Sequence, residues 1–244
     1  MRRLLLLGTV LITIAGLTGL GIWQVKRLMW KTALIETVNA RTTAPAVALD
    51  AGRNGWPALN KANDEYRRVR LSGHFLNDKE VQVYALTEAG AGYWVLTPLV
   101  TDTGATIMVN RGYVPTDLKA PATRPAGQVS GPVAVTGLVR MSEVKGWLFS
   151  QPNDPPFRWY RRDTKMIATS QALGYVPPYF IDADATPVPG GWPKGGMTVI
   201  RFTNHHLSYA LTWFAMAAGL AGVTFWQWRR SKEKERADDY RGAP

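Results

Sequence analysis

The chain contains no cysteine. That excludes a disulfide framework, a zinc or iron–sulfur site built on thiolates, thiolate-ligated haem and a cysteine nucleophile, whatever compartment the protein occupies. Histidine is nearly as scarce, with only His74, His205 and His206 present, so a serine–histidine–aspartate arrangement would have to use one of these. None is well set for it. His74 follows Ser72-Gly73 in a strand-like stretch, and the other two stand where a long apolar run begins. There is no G-x-S-x-G elbow, HExxH helix, Walker loop or G-x-G-x-x-G turn, and the acidic residues are mostly scattered singly. The pattern favours a binding or assembly role over an enzyme.

Charge is missing from two long stretches. Leu4 to Val25 and Leu207 to Trp228 are each 22 residues without a charged side chain. At ~1.5 Å per residue each run spans ~33 Å as a helix, against roughly 30 Å for the hydrocarbon core of a bilayer. Met1-Arg2-Arg3 would suit the basic start of a secretory signal. However, the run exceeds the roughly 7–15 residues of a signal's apolar region, and it is followed by Lys26-Arg27 and Trp30-Lys31 rather than a small-residue cleavage site. It reads as a retained anchor. The second run ends at Trp226-Gln227-Trp228, where rings suit the interface, ahead of Arg229-Arg230-Ser231-Lys232.

The basic residues at both tips predict that both termini are cytoplasmic and the long central segment lies across the membrane. Lys26, Arg27 and Lys31 oppose this, but a long translocated segment is largely exempt from the rule. The expected division is a tip at 1–3, spans at 4–25 and 205–228, a central domain at 26–204, and a basic tail at 229–244. The formal net charge of +11 and pI near 10.0 raise nucleic acid as a partner. No basic run in the central segment interleaves with exposed aromatics, and that segment would lie outside the cytoplasm, so nucleic acid is not expected. Anionic lipid headgroups and a protein partner at the membrane face are the simpler uses of the charge.

The central segment reads mostly as strand. Arg68–Leu71, Val81–Leu86, Tyr93–Val100, Ala105–Asn110, Val133–Val139 and Tyr179–Ile181 are rich in β-branched and aromatic residues. Gly90-Ala91-Gly92, Asp102-Thr103-Gly104 and Gly131-Pro132 punctuate them, and Thr101 to Gly104 has the composition of a hairpin connection. Two helices are expected, Leu28–Ala40 and Thr164–Leu173, the second capped by Asp163 and closed by Gly174. Pro-rich connections at Ala120–Gly127 and Thr186–Gly196 read as surface loops. The fold class is therefore an α+β membrane protein: two transmembrane helices flank a mostly antiparallel β domain, barrel or sandwich, with one or two helices.

The chemically unusual place is the start of the second run, because an ionisable residue at a membrane helix end is costly unless it is paired or used. On a helix, His206, Tyr209, Ala210 and Trp213 fall at i, i+3, i+4 and i+7, on one stripe. His205 points about 100° away, so the two histidines do not ligate one metal together. Gly16, Leu20, Trp23 or Gln24, and Arg27 form the corresponding stripe on the first run, with Trp23 and Gln24 at the depth of His206. Ala15 and Gly19, and Ala215 and Gly219, are small residues four apart that would allow close helix approach.

Several blocks now carry a resemblance. Gly21-Ile22-Trp23-Gln24 with Arg27 and Lys31, Arg68 to Phe75, Tyr93 to Leu99, Val109-Asn110-Arg111-Gly112-Tyr113-Val114-Pro115, and Pro152-Asn153-Asp154-Pro155 with Trp159 to Asp163 resemble the Surfeit locus protein family, member one. Asn204-His205-His206-Leu207-Ser208-Tyr209-Ala210-Leu211-Thr212-Trp213-Phe214 is similar to its closing signature. The family usually has Asn or another polar residue directly before its histidine. Here that position is His205, and alignment on Leu207 makes His206 the family histidine.

The resemblance implies an assembly factor for haem-copper cytochrome c oxidase in the bacterial inner membrane, with a periplasmic central domain. Its partners would be the oxidase catalytic subunit, other assembly factors and membrane lipids. It further implies a haem a ligand held in transit, with His206 as axial ligand and Tyr209, Trp213, Trp23 and Gln24 around it. Arg27 and Arg201 would be the cations for the propionates. The other reading from this sequence is a haem-free membrane scaffold that steadies an oxidase assembly intermediate.

Overall fold

A computed structural model describes residues 2–51, 55–144, 153–154, 158–198, 200 and 202–241, with side chains between residues 5 and 234. Two compact units divide the chain. One joins residues 1–37 with 201–244, and the other is Val38–Ile200.

The first unit holds α4 (His206–Arg241) and most of α1 (Arg2–Thr43), both long helices; residues 38–43 of α1 belong to the second unit. Helix α1 is continuous, so the separate helix expected at Leu28–Ala40 is the extension of the first span. No glycine or proline interrupts residues 22–44, and Pro45 then stops the helix by restricting the residue before it. Forty-two residues give ~63 Å of helix, about twice the bilayer core. Both helices are long and apolar enough to cross a membrane, and their large side chains are bare: Ile12, Leu6 and Leu211 are 75%, 61% and 62% exposed. Hydroxyls within them are satisfied internally. Thr13 Oγ1 donates to the Thr9 carbonyl (2.9 Å) and Thr224 Oγ1 to the Leu220 carbonyl (2.7 Å), which spares an unmet polar group in lipid.

The second unit is built on a seven-stranded mixed sheet ordered β1-β2-β6-β7-β5-β4-β3. Its strands are β1 (Val47–Ala48), β2 (Arg68–Phe75), β3 (Val81–Thr87), β4 (Gly90–Val100), β5 (Thr106–Pro115), β6 (Val133–Met141) and β7 (Tyr179–Ala183). An added antiparallel pairing of β2 with β4, at His74–Val100 and Phe75–Leu99, closes β2, β6, β7, β5 and β4 into a barrel. Most pairs are antiparallel, but β1 with β2 and β5 with β7 run parallel. All five barrel strands contribute to one apolar cluster, including Val69, Leu71, Leu99, Ile107, Val109, Val139, Tyr179 and Ile181. Intervening residues Met108 and Phe180 face the opposite way and pack with Val83, Leu96, Trp159 and Ile167. Burial on both faces explains why β5 and β7 read as continuous apolar runs rather than alternating ones.

The short helix α3 (Thr164–Ser170) begins where Asp163 accepts a hydrogen bond from the Met166 backbone N–H at 3.1 Å, and α2 (Lys61–Asp64) is a single turn capped by Asn60. Asp102-Thr103-Gly104 makes the β4–β5 hairpin, as its composition suggested. Gly90-Ala91-Gly92 does not separate strands. It forms the start of β4 and pairs with Leu86, Thr87 and Ala85, the turn lying one step earlier. Gly92 is needed there because a Cβ would meet the Val114 carbonyl and the Tyr113 ring.

The Ala120–Gly127 connection is more than a surface loop. Arg124 is 5% exposed and its guanidinium clamps the Glu80 carboxylate. Thr186–Gly196 is likewise tied back, with Lys194 and Tyr113 exchanging backbone hydrogen bonds at 2.9 Å. Scattered acidic residues converge on the barrel wall. Asp182 of β7 accepts from Asn110 (2.7 Å), Thr198 (3.0 Å), Arg140 (3.1 Å) and Arg162 (3.3 Å), and Glu65 and Glu143 complete the charge balance.

Candidate functional site

The antiparallel sense of α1 and α4 follows from their contacts, since lower numbers on α1 meet higher numbers on α4: Asn204 is near Thr32, His206 bonds Gln24, and Phe214 lies on Gly21. On α4 the less exposed residues are His206, Ala210, Trp213, Ala217, Leu220 and Thr224, alternating by four and three. On α1 they include Ile14, Leu17, Gly21, Gln24, Leu28 and Lys31, alternating by three and four. Both are seams of the kind that packs two helices at a shallow angle.

His206 Nδ1 lies 2.7 Å from Gln24 Oε1. An amide oxygen only accepts, so Nδ1 is the donor in this bond, and in the neutral ring Nε2 is the nitrogen with the lone pair. The partner is neutral, so this bond orients the ring without adding charge to an apolar helix pair. One turn on, Ala210 is 2% exposed, and a further turn on Trp213 is half-buried with an indole N–H that has no hydrogen-bond partner among the described residues. A buried donor left unmet is costly.

The expected site residues divide accordingly. His206, Gln24 and Trp213 lie on the seam. Tyr209 and Trp23 are 56% and 55% exposed and lie on its flanks. Arg27 is exposed, its guanidinium 4.1 Å above the Trp30 ring. Arg201 lies outside the described residues. His205 is exposed and offers its backbone carbonyl to Ser208 Oγ at 2.7 Å. The close approach expected at Ala15, Gly19, Ala215 and Gly219 occurs elsewhere. These four are exposed, and a Cβ at Gly19 or Gly219 would meet nothing within 4 Å. Gly21 is the contact glycine, its missing Cβ being only 2.5 Å from the Phe214 ring. The spacing of the small residues was right for a helix contact but stands on the outer face.

Among the described residues there is no group of three or more His, Asp or Glu side chains that could hold a metal ion. A lone imidazole in apolar surroundings suits a metal that brings its other ligands with it, as a macrocycle does.

Two apolar helices, one towards each end of the sequence, and a mixed-sheet domain between them in sequence define a two-span membrane protein with a β domain. The model of the SURF1 family matches residues 11–218, and the chain belongs to that family. It is 36% identical over 228 residues to Surfeit locus protein 1 of Rattus norvegicus, an alignment covering 87% of this chain and 71% of that protein. It is 37% identical to Surfeit locus protein 1 of Takifugu rubripes, covering 86% of this chain and 90% of that one. The SURF1-like protein of Monosiga brevicollis is 36% identical, with 90% and 85% covered.

Proposed function

We propose that this protein is an assembly factor for haem-copper cytochrome c oxidase that binds haem a between α1 and α4 and delivers it to the catalytic subunit. The observation that carries the reading is the His206–Gln24 pair, which presents Nε2 from an apolar seam. A neutral imidazole is a normal ligand for haem iron, so His206 would hold the group and the haem would supply the metal. Within this reading His206 holds the metal and Gln24 orients the ring. Trp213 N–H offers a hydrogen bond to an oxygen of the bound group. Trp23 and Tyr209 form apolar flanks, and Arg27 balances an acidic substituent, with Arg201, outside the described residues, as the second expected cation.

A ligand held by one protein bond and apolar walls can be released, which suits delivery better than storage. The role is non-catalytic. The spans would lie in the inner membrane with the β domain on the periplasmic side, where the catalytic subunit, other assembly factors and lipid headgroups are within reach.

The test is purification of the full chain from cells able to make haem a, followed by optical spectroscopy and pyridine haemochrome analysis. Wild type is expected to carry haem a, His206→Ala to carry little, and His205→Ala to carry most of it. Full occupancy in His206→Ala would remove the ligand assignment, and the reverse order would move it to His205. Haem-free wild type with intact oxidase assembly would favour a scaffold.

A further inference from the structure

A second site lies in the β domain, at the one irregularity of its longest ladder. The β4–β5 register shifts between Val95, opposite Gly112, and Leu96, opposite Asn110. Arg111 is thus the extra residue of a β-bulge, with no cross-strand partner, and bulges commonly serve to re-aim a side chain. Gly112 makes the bulge possible: its φ is +130°, and a Cβ would lie 2.1 Å from the Lys194 carbonyl oxygen. Arg111 itself is 4% exposed.

Its charge is poorly balanced. The nearest carboxylate, Glu80, is clamped by both terminal nitrogens of Arg124 and also accepts from Gln82 (2.8 Å) and Gln128 (3.4 Å), while Arg111 Nη1 stays 4.0 Å away. Arg111 instead donates to two neutral oxygens, Asn77 Oδ1 and the Gly127 carbonyl, and its guanidinium lies 4.5 Å from the Phe75 ring centre. Two guanidiniums therefore share one carboxylate, and the excess is one buried positive charge, which is expensive to keep without a counter-ion. Burial pulls the Arg111 pKa down to about 10, Glu80 acting in the opposite direction.

Arg111 also lines a cavity of about 240 Å³ where β2 ends and β6 begins. Phe75, Val133, Val135, Val188 and Pro189 make its wall chiefly apolar. Asp184 is the acidic residue on the wall, but it faces Arg68 at 3.5 Å and accepts from Thr186 at 2.5 Å, so its charge is already met. We propose that this cavity binds a small amphipathic carboxylate, its head on Arg111 and its hydrocarbon body against Phe75, Val133 and Val135. A unit negative charge matches the unit excess. At roughly 30 Å³ per small group the volume holds about eight such groups, the size of a medium-chain acid. This inference does not rest on the haem reading, since every residue in it belongs to the β domain.

The probe is sodium octanoate, titrated calorimetrically into the full chain in lipid nanodiscs with empty nanodiscs as reference. Acetate tests the head alone and octanol the body alone. Octanoate is expected to bind at least about tenfold more tightly than either. Arg111→Met should weaken it about 10- to 100-fold, as loss of a charged hydrogen bond does. Val188→Trp, which fills the cavity from the half-buried Val188 position and leaves Arg111 intact, should abolish binding with the circular dichroism spectrum unchanged. The Val188 variant keeps the test decisive if Arg111→Met fails to fold. No octanoate binding to wild type, equal binding of octanol, or undiminished binding to Val188→Trp would each overturn the proposal.

Discussion

Gln24 and His206 are 182 positions apart in the chain and 2.7 Å apart in space. The bond sets which way the ring faces and, with Oε1 as acceptor, makes Nδ1 the donor. Outer contacts of this kind typically change metal affinity by about 10- to 100-fold when removed. Gln24→Leu keeps the apolar volume and deletes the acceptor. In haem titrations of the full chain its affinity is expected to fall within that range, with an altered absorption band, while His206→Ala loses binding outright. If Gln24→Leu matches wild type in both affinity and spectrum while His206→Ala fails, the histidine is a ligand that needs no orientation by Gln24.

Gly21 makes a second, purely steric link between the helices. A side chain there would enter the Phe214 ring, with three ring carbons between 2.5 and 2.8 Å from the new Cβ. Gly21→Leu is expected to destabilise the helix pair by about 1–3 kcal/mol, the usual cost of overpacking. Phe214→Ala in the same chain should restore part of it, because the two changes share one volume. Thermal unfolding of the four proteins in one detergent measures the coupling. Strict additivity of the two substitutions would mean that the helices do not meet at this point.

Much of the architecture could be read from residue types alone, because the relevant signals are local. Uncharged runs are set by the bilayer, the six longer strands by β-branched residues between turns, and the Asp163 cap by one side chain and one N–H. The failures share a cause of the opposite kind. Gly90-Ala91-Gly92 looked like a turn because glycine's role in β4, close packing against Val114 and Tyr113, depends on β5, which lies beyond any local window. The small residues at 15, 19, 215 and 219 have the right spacing, but only the partner helix decides which of two glycine faces is used. Acidic residues that seemed isolated meet arginines from other strands, as Asp182 does with Arg140 and Arg162. Arg111 belongs to a recognisable block, yet its status as a bulge exists only in the register of two strands. At the helix seam His206 was visible from chemistry, while the exposure of Trp23 and Tyr209 was not.

The Glu143–Arg162 pair gives the β domain a pH dependence with a definite sign. Burial alone would raise the Glu143 pKa, but the charge and hydrogen bonds of Arg162 outweigh it and hold the carboxyl below its ordinary value. Burial would likewise lower Arg162, yet Asp182 and Glu143 together push it upward, so it stays charged throughout. For a carboxyl depressed by folding, the folded state binds the proton less readily than the unfolded chain. Its stabilisation is therefore complete above the unfolded value of about 4.3 and disappears as pH falls through the lower folded value. Glu143→Gln keeps the shape and removes the titration. The melting temperature of wild type should exceed that of Glu143→Gln at pH 7, and the gap should close progressively below about pH 4.3. Other carboxylates contribute to the acid limb of both proteins and cancel in the difference. A gap that stays constant from pH 7 to the acid limit would show that Glu143 acts through its shape and hydrogen bonds alone, with no contribution from its charge.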